Sequence, residues 1–390
     1  MSVRHQTGYI WRHGHAWFGR WWEPVIEDGR VVWKQRSAKL ADCNDRYRSE
    51  KDVRPLLDEI LVPLNQGKFS ASSTLTVTRF VEDHYLAYAQ ENCKPSTYSA
   101  YKTQWKMYLS SRLNKIVMRD FRTDDAARLL SDVHSKHGLG RTTLRHLKSF
   151  LSGVFVYAIN QGILDGINPV RLAQIPKKAA APKETPHATA EKVLAMLDAL
   201  GKTGHRKARA GVALMFFAGL RPGEARGARW EDYDGTKLAV RHSVWGTHVT
   251  EPKTAERASQ VPIIEPLRSI LAQLREEDLN PASGPILRGP TGKPLNLDNL
   301  ARREIRPTLK KAGISWDGYY SLRRGIATML NSVEKDPMAA KGLLRHSSVA
   351  TTQKHYIKEV PEVVLAAMQK IELLCNHSAT EGDHPCGVSR

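Results

Sequence analysis

The chain is poor in cysteine, in acidic residues relative to basic ones, and in long apolar runs. Its 390 residues include only Cys43, Cys93, Cys375 and Cys386, with no CxxC pair. A disulfide framework is therefore not expected, and free thiols suit a reducing cytoplasm. No run of 18 or more apolar residues occurs, which argues against a membrane-spanning helix. The opening MSVRHQTGYIWRHGHAW lacks the apolar core of a signal peptide. No P-loop or metal-ligand motif is present, so neither a cofactor nor a catalytic metal is expected. The shortage of acid is the informative one. Forty Asp+Glu against 59 Lys+Arg leave a formal charge of +19 at pH 7, which points to a polyanionic partner. Nucleic acid comes first, because no basic amphipathic helix suited to an anionic membrane is evident.

What is there falls into segments. Residues 1–68 carry five of the nine tryptophans, Trp11, Trp17, Trp21, Trp22 and Trp33, in short β-branched runs broken by turn signals such as EDGR. With the apolar-striped SEKDVRPLLDEILVPL, a β-β-β-α module is expected. Its inward tryptophans form the core, and Arg12, Arg20, Arg30, Lys34 and Arg36 leave a cationic ribbon that could enter a DNA groove. Asn65–Thr74 reads as a linker.

Residues 73–176 read as helical. Ser96 is the expected N-cap of KPSTYSAYKTQWKMYL. Leu144, Leu147, Leu151, Val154, Phe155 and Ala158 fall on one helix face. Arg141, Arg145 and Lys148 on the other side, with Lys177 and Lys178, are candidate DNA contacts. Fifteen Lys+Arg against five Asp+Glu between Lys94 and Lys178 fit a domain that grips phosphates. The Pro- and Ala-rich Ile175–Thr189 marks a boundary. Residues 183–374 then read as mixed and mainly helical, with a hairpin-like region from Leu238 to Ile263. Residues 375–390 read as a flexible tail, whose Cys375, His377, His384 and Cys386 lack common zinc spacing. The fold class expected is α+β, mainly helical, with small sheets.

Four stretches of the last domain make joint chemical sense. FFAGLRPGEARGARWEDYD presents Arg221 and Glu224, VTEPKTAERASQVPI presents Lys253, GYYSLRRGIATML presents Arg323, and GLLRHSSVATTQKHYIK presents His346 and Tyr356. Metal-independent transfer of a phosphodiester needs fixed cations on its non-bridging oxygens, and two arginines suit that best. A tyrosine can attack and hold the phosphate covalently. A lysine can protonate the departing oxygen, and a histidine can assist.

In these stretches the sequence resembles the tyrosine recombinases, or phage-type integrases. The resemblance covers roughly Pro182 to Leu374, and more loosely the basic helical segment, which is similar to the family's core-site-binding domain. The N-terminal module resembles an arm-type DNA-binding domain. The resemblance implies a site-specific recombinase in which Arg221 and Arg323 clamp the phosphate and Lys253 is the general acid. His346 then matches the second histidine and Tyr356 the nucleophile, with Glu224 as structural support outside the chemistry. It implies a 3′-phosphotyrosine intermediate and double-stranded attachment sites as partner. It also implies a homotetramer on DNA and accessory DNA-bending or directionality proteins, in a bacterial or phage-encoded cytoplasmic protein.

Three departures stand out. Tyr320 occupies the place of the family's usual first histidine and is expected to take over its hydrogen bond. Arg345 replaces a glycine before His346, so a different local backbone is expected. The step from His346 to Tyr356 is one residue longer than usual, with His355 in the ordinary place. The helix expected at Val360–Leu374 could dock on a neighbouring protomer or pack within its own. Two other readings remain open: a non-catalytic DNA-binding accessory protein or repressor of the same fold, and a type IB topoisomerase-like enzyme.

Overall fold

The computed structural model describes residues 5–250, 259–334 and 337–345. The chain divides into two compact units, Met1–Lys183 and Glu184–Arg390. Among the described residues no helix is long and apolar enough to cross a membrane. The expected helix at Val360–Leu374 and the cysteine- and histidine-bearing tail from Cys375 lie outside the described residues.

In the first unit, β1 (Tyr9–His13), β2 (Ala16–Glu27) and β3 (Arg30–Asp42) form an antiparallel sheet in the order β1-β2-β3. The β2–β3 turn is Asp28-Gly29, with φ of 47° and 75°. A two-residue hairpin with both central residues left-handed matches the strand twist, which is why Asp-Gly serves there. Along β2, Gly19, Trp21, Glu23 and Val25 point inward, while Arg20 and Trp22 point to solvent. Helix α1 (Glu50–Asn65) lays Leu57, Leu61 and Leu64 against Trp21 and Ile10 to make a small core. Of the tryptophans expected in this core, Trp21 is buried, but Trp22 and Trp33 stand about half exposed.

Glu23 breaks the apolar alternation of β2, and its partners account for it. Its carboxylate is 1% exposed. It accepts bonds from Trp21 Nε1 (3.1 Å), Arg36 Nε (3.0 Å), and Arg119 Nη1 and Nη2 (2.8 and 2.9 Å). Arg119 lies in a short 3-10 turn, Met118–Asp120, of the helical segment. A bidentate, desolvated ion pair thus ties the sheet to the helices that follow it in sequence. Ile26 adds an apolar contact with the helical core.

That helical part contains α2 (Val77–Phe80), α3 (Leu86–Asn92), α4 (Pro95–Gln104), α5 (Thr123–His137) and α6 (Arg141–Asn160). The six residues expected on the apolar face of α6 are all buried, with Phe150 beside them. The start of α4 differs from expectation: Lys94 is the N-cap and Pro95 the first helical residue, so Ser96 lies inside the helix. The fixed φ of proline suits the first helical position, where its missing N–H costs nothing, and this outweighs the hydroxyl cap.

The second unit packs α7 (Ala190–Lys202), α10 (Glu265–Glu277) and α13 (Tyr319–Glu334) around α8 (Arg206–Phe217). Helix α8 is buried from Ala210 to Phe216, the pattern of a core helix with no polar face over that span. The short α9 (Pro222–Gly227) follows. Strand β4 (Lys237–Val240) pairs with β7 (Ser259–Pro262), and β5 (Ser243–Trp245) with β6 (His248–Thr250). Two short helices, α11 (Leu297–Leu300) and α12 (Arg306–Lys311), precede α13, and α14 (Pro337–Leu344) packs on α13.

Burial pushes the Glu23 carboxyl up, but Arg119, Trp21 and Arg36 outweigh it and hold it below the ordinary glutamate value. A depressed folded-state pKa adds stability above the unfolded value of about 4.3, and that stability is lost as pH falls through the folded value. Glu23→Gln should destabilise the first unit by about 2–3 kcal/mol at neutral pH, since both arginines keep some contact with water. Urea denaturation followed by tryptophan fluorescence should show the difference from wild type shrinking as the pH is lowered.

Candidate active site

Helix α8 ends at Phe217, and Gly219, at φ 57°, turns the chain in the left-handed region. Arg221 then serves as N-cap of α9, with Pro222 at the first helical position. Glu224, at the third, reaches back: its Oε2 accepts the Arg221 backbone N–H at 2.8 Å, and its Oε1 accepts Arg221 Nη1 at 2.7 Å. Local helix-capping chemistry therefore fixes both the backbone and the guanidinium of Arg221.

Arg323 comes from the opposite direction, on the buried face of α13 beside Leu322 and Ile326. It is 0% exposed, with Nη1 donating to Gly219 O and Nη2 to Leu344 O. Nη1 also lies 3.9 Å from Glu224 Oε2. Arg323 thus ties the end of α8 to the end of α14 while facing the carboxylate that holds Arg221. A third guanidinium joins them. Arg345 Nη2 donates to Glu224 Oε2 at 2.6 Å, and Nη1 to Leu343 O at 2.8 Å. Burial pushes the Glu224 carboxyl up, yet Arg345, Arg221 and Arg323 outweigh it and keep it below the ordinary value, so it is ionised. The cluster of three arginines and one glutamate carries a formal +2.

The backbone expectation at Arg345 is corrected here. Its φ is 53°, the left-handed conformation that glycine favours, so the arginine keeps a glycine-like turn. Tyr320 is 48% exposed at the start of α13, and its hydroxyl bonds none of the described residues. The neighbouring Tyr319 is the structural one, its hydroxyl donating to Leu297 O at 2.8 Å. Lys253, His346 and Tyr356 lie outside the described residues, which flank Lys253 with β6 and β7. Sequence reasoning missed Arg226, whose Nε, Nη1 and Nη2 donate to the carbonyls of Leu295, Val244 and Gly246 and so pin the β5–β6 hairpin to α9. Only its spacing after Glu224 hinted at a shared helix. Among the described residues no group of histidine, cysteine, aspartate or glutamate could hold a metal ion.

The candidate DNA contacts of the first unit divide by exposure. Arg145, Lys177 and Lys178 are exposed. Arg141 is partly buried and donates from Nη2 to Lys177 O at 3.2 Å, which brings the start of α6 beside the lysine pair. Lys148 is engaged internally, its Nζ donating to Arg171 O (3.0 Å) and Ala173 O (2.7 Å).

Such a preorganised cationic cluster, with one guanidinium reaching solvent, can meet the charge of a phosphodiester without reorganising. Residues 186–362 match the phage integrase family. The chain is 23% identical to a tyrosine recombinase XerC-like protein of Caldanaerobacter subterraneus subsp. tengcongensis, over 87% of this chain and 94% of that protein. It is 28% identical to a tyrosine recombinase XerC of a Methylobacterium species, over 66% and 82%. Its fold is similar to that of the Tn1549 transposon integrase bound to transposon right-end DNA: TM-score 0.63, 18% identity, 76% of this chain and 100% of that one. A lambda integrase tetramer bound to a Holliday junction matches at TM-score 0.56 and 18% identity, over 91% and 97%.

The burial contrast between the two arginines gives a test. Arg323→Ala leaves two buried carbonyls and part of a buried carboxylate uncompensated and should cost about 3 kcal/mol. Arg221→Ala, with a side chain 37% exposed, should cost no more than about 1 kcal/mol. Urea titrations of the two variants side by side measure both.

Proposed function

Since residues 186–362 of this chain are a phage integrase family domain, of the tyrosine recombinases, we propose that the protein is a site-specific DNA recombinase that cleaves and rejoins DNA through a 3′-phosphotyrosine, integrating or excising a mobile element. The observation that carries this reading is the convergence of Arg221 and Arg323, from separate helices, on Glu224.

In the proposed reaction the Tyr356 hydroxyl oxygen attacks the scissile phosphorus, its proton passing to solvent. The bond from phosphorus to the 5′ oxygen breaks, and Lys253 protonates that oxygen as it leaves. Arg221 and Arg323 offset the charge that grows on the non-bridging oxygens, and His346 assists at the phosphate. The 5′-hydroxyl of a partner duplex then attacks the phosphotyrosine, restoring the tyrosine and a phosphodiester. Bond energy is conserved, so neither nucleotide nor metal is required. Four protomers around two duplexes is the assembly proposed for this exchange, with accessory DNA-bending or directionality proteins as further candidate partners.

The three-stranded sheet with exposed Trp22, Trp33 and Arg20 supports a second DNA-contacting element beyond the one that holds the cut site. That favours an integrase over a topoisomerase-like enzyme that relaxes supercoils alone. One observation favours a second reading, a non-catalytic DNA-binding protein of the same fold: Tyr320, in the place of a proton-handling histidine, stands in solvent and bonds none of the described residues.

The test is a nicked attachment-site duplex that traps covalent protein. Wild type should accumulate a 3′-phosphate adduct on Tyr356, and Tyr356→Phe should bind without forming one. Arg221→Ala should bind as well but react about 100- to 1000-fold more slowly. An adduct on a different tyrosine would move the nucleophile. Tight binding with no adduct from wild type would establish the non-catalytic reading.

A further inference from the structure

Arg345 sits in a conformation that L side chains avoid, because a left-handed backbone crowds the Cβ against the following carbonyl. It is a large, charged and nearly buried side chain, 11% exposed, at such a position. Something must hold it there, and the contacts name it. Arg345 Nη2 shares Glu224 Oε2 with the Arg221 backbone N–H, at 2.6 and 2.8 Å, while the preceding carbonyl, Leu344 O, accepts from Arg323. The two residues just before His346 are therefore fastened to both arginines' surroundings, one through its backbone and one through its side chain.

The three guanidiniums differ in exposure. Arg323 is 0% exposed and Arg345 11%, whereas Arg221 is 37% exposed. Of the three, Arg221 is the one with room to turn toward an incoming phosphate, Arg323 being already fixed by Gly219 O and Leu344 O, and it is now paired with Glu224 Oε1 at 2.7 Å. A buried carboxylate stripped of its partner opposes such a turn strongly, since its charge would lose compensation in a site with little water. With Arg345 in place that compensation persists whether or not Arg221 moves.

We propose that Arg345 is a positioning residue, the standing counter-ion of Glu224, which releases Arg221 to the scissile phosphate. The inference rests on the recombinase reading and assigns a role to a residue that stands where a glycine would satisfy the backbone better. It makes two distinct statements about substitutions. Arg345→Gly relieves backbone strain but leaves a largely buried carboxylate one partner short, so its thermal midpoint should fall while, well below that midpoint, it still reacts more slowly than wild type. Glu224→Gln removes the charge that holds Arg221, so it should repair the defect caused by losing Arg345.

Full-length wild type, Arg345→Gly, Arg345→Gln, Arg345→Lys and the double variant Arg345→Gln/Glu224→Gln would be compared in single-turnover cleavage of the nicked attachment duplex. The adduct rate at saturation, the half-saturating protein concentration and the thermal midpoint are read for each. Arg345→Gly and Arg345→Gln should slow the saturated rate on the order of 10- to 100-fold with half-saturation unchanged. Arg345→Lys should recover part of the rate, and the double variant most of it. On a duplex with a methylphosphonate at the cut site, which lacks the charge Arg221 must meet, the Arg345→Gln defect should shrink. Wild-type rates in Arg345→Gly would overturn the proposal. A double variant no faster than Arg345→Gln would do the same, as would a rate defect that vanishes when each variant is assayed at the same interval below its own thermal midpoint. Absence of adduct from wild type itself would instead remove the recombinase reading, and this inference with it.

Discussion

The second unit depends on one desolvated carboxylate. Glu224 closes the first turn of α9 by accepting the Arg221 N–H, and the same two oxygens gather guanidiniums from α9, α13 and the end of α14. Remove that negative charge and three arginines face one another at low dielectric, where like charges repel strongly. Remove the arginines and a buried carboxylate is stranded. Each half offsets the charge of the other, so the local fold and the cationic cluster are built from the same contacts. The site is rigid for the same reason: Arg323 spends its donors on Gly219 O and Leu344 O, and so locks the ends of two helices at the place where charge is needed.

The first unit repeats this device for another purpose. Glu23 sits at an inward position of β2, where an apolar residue belongs, and holds Arg36 of its own sheet and Arg119 of the helical segment. Packing alone would leave the small sheet with a modest core of Ile10, Trp21, Leu57, Leu61 and Leu64. A bidentate pair adds direction that such a core lacks, since it is satisfied at one mutual orientation only. Glu23 interrupts the apolar alternation of its strand, and Glu224 is only 12% exposed; neither could be weighed fully from sequence, because Arg119 in one case and Arg323 and Arg345 in the other lie far away in the chain.

Legibility followed the range of the interactions. The apolar face of α6 was readable because helical periodicity is local and strong, and the Asp28-Gly29 hairpin because its turn chemistry is restrictive. The arginine pair was readable through motif order. Ser96 was misread because two local signals compete within two residues and proline's fixed φ prevails over a hydroxyl cap. Arg345 was misread for a different reason. A glycine-to-arginine exchange suggests an altered turn, but the turn survives because a carboxylate 121 residues earlier holds the side chain. Glu224, set aside as support, proved to be the centre of the cluster. No local rule carries contacts of that range.

The excess of basic residues needs the same distinction between partnered and exposed cations. A net charge of +19 suggests a uniformly phosphate-hungry surface, yet several cations are committed inside. Arg226 holds three carbonyls, Lys148 two, Arg323 two and Arg119 a carboxylate. These side chains fix backbone geometry and would release few counterions on binding a polyanion. Arg145, Lys177 and Lys178 in the first unit, and Arg20 on the sheet, are instead exposed to solvent. Committed cations set shape, others stand in solvent, and Arg221 lies between the two, paired with Glu224 yet 37% exposed.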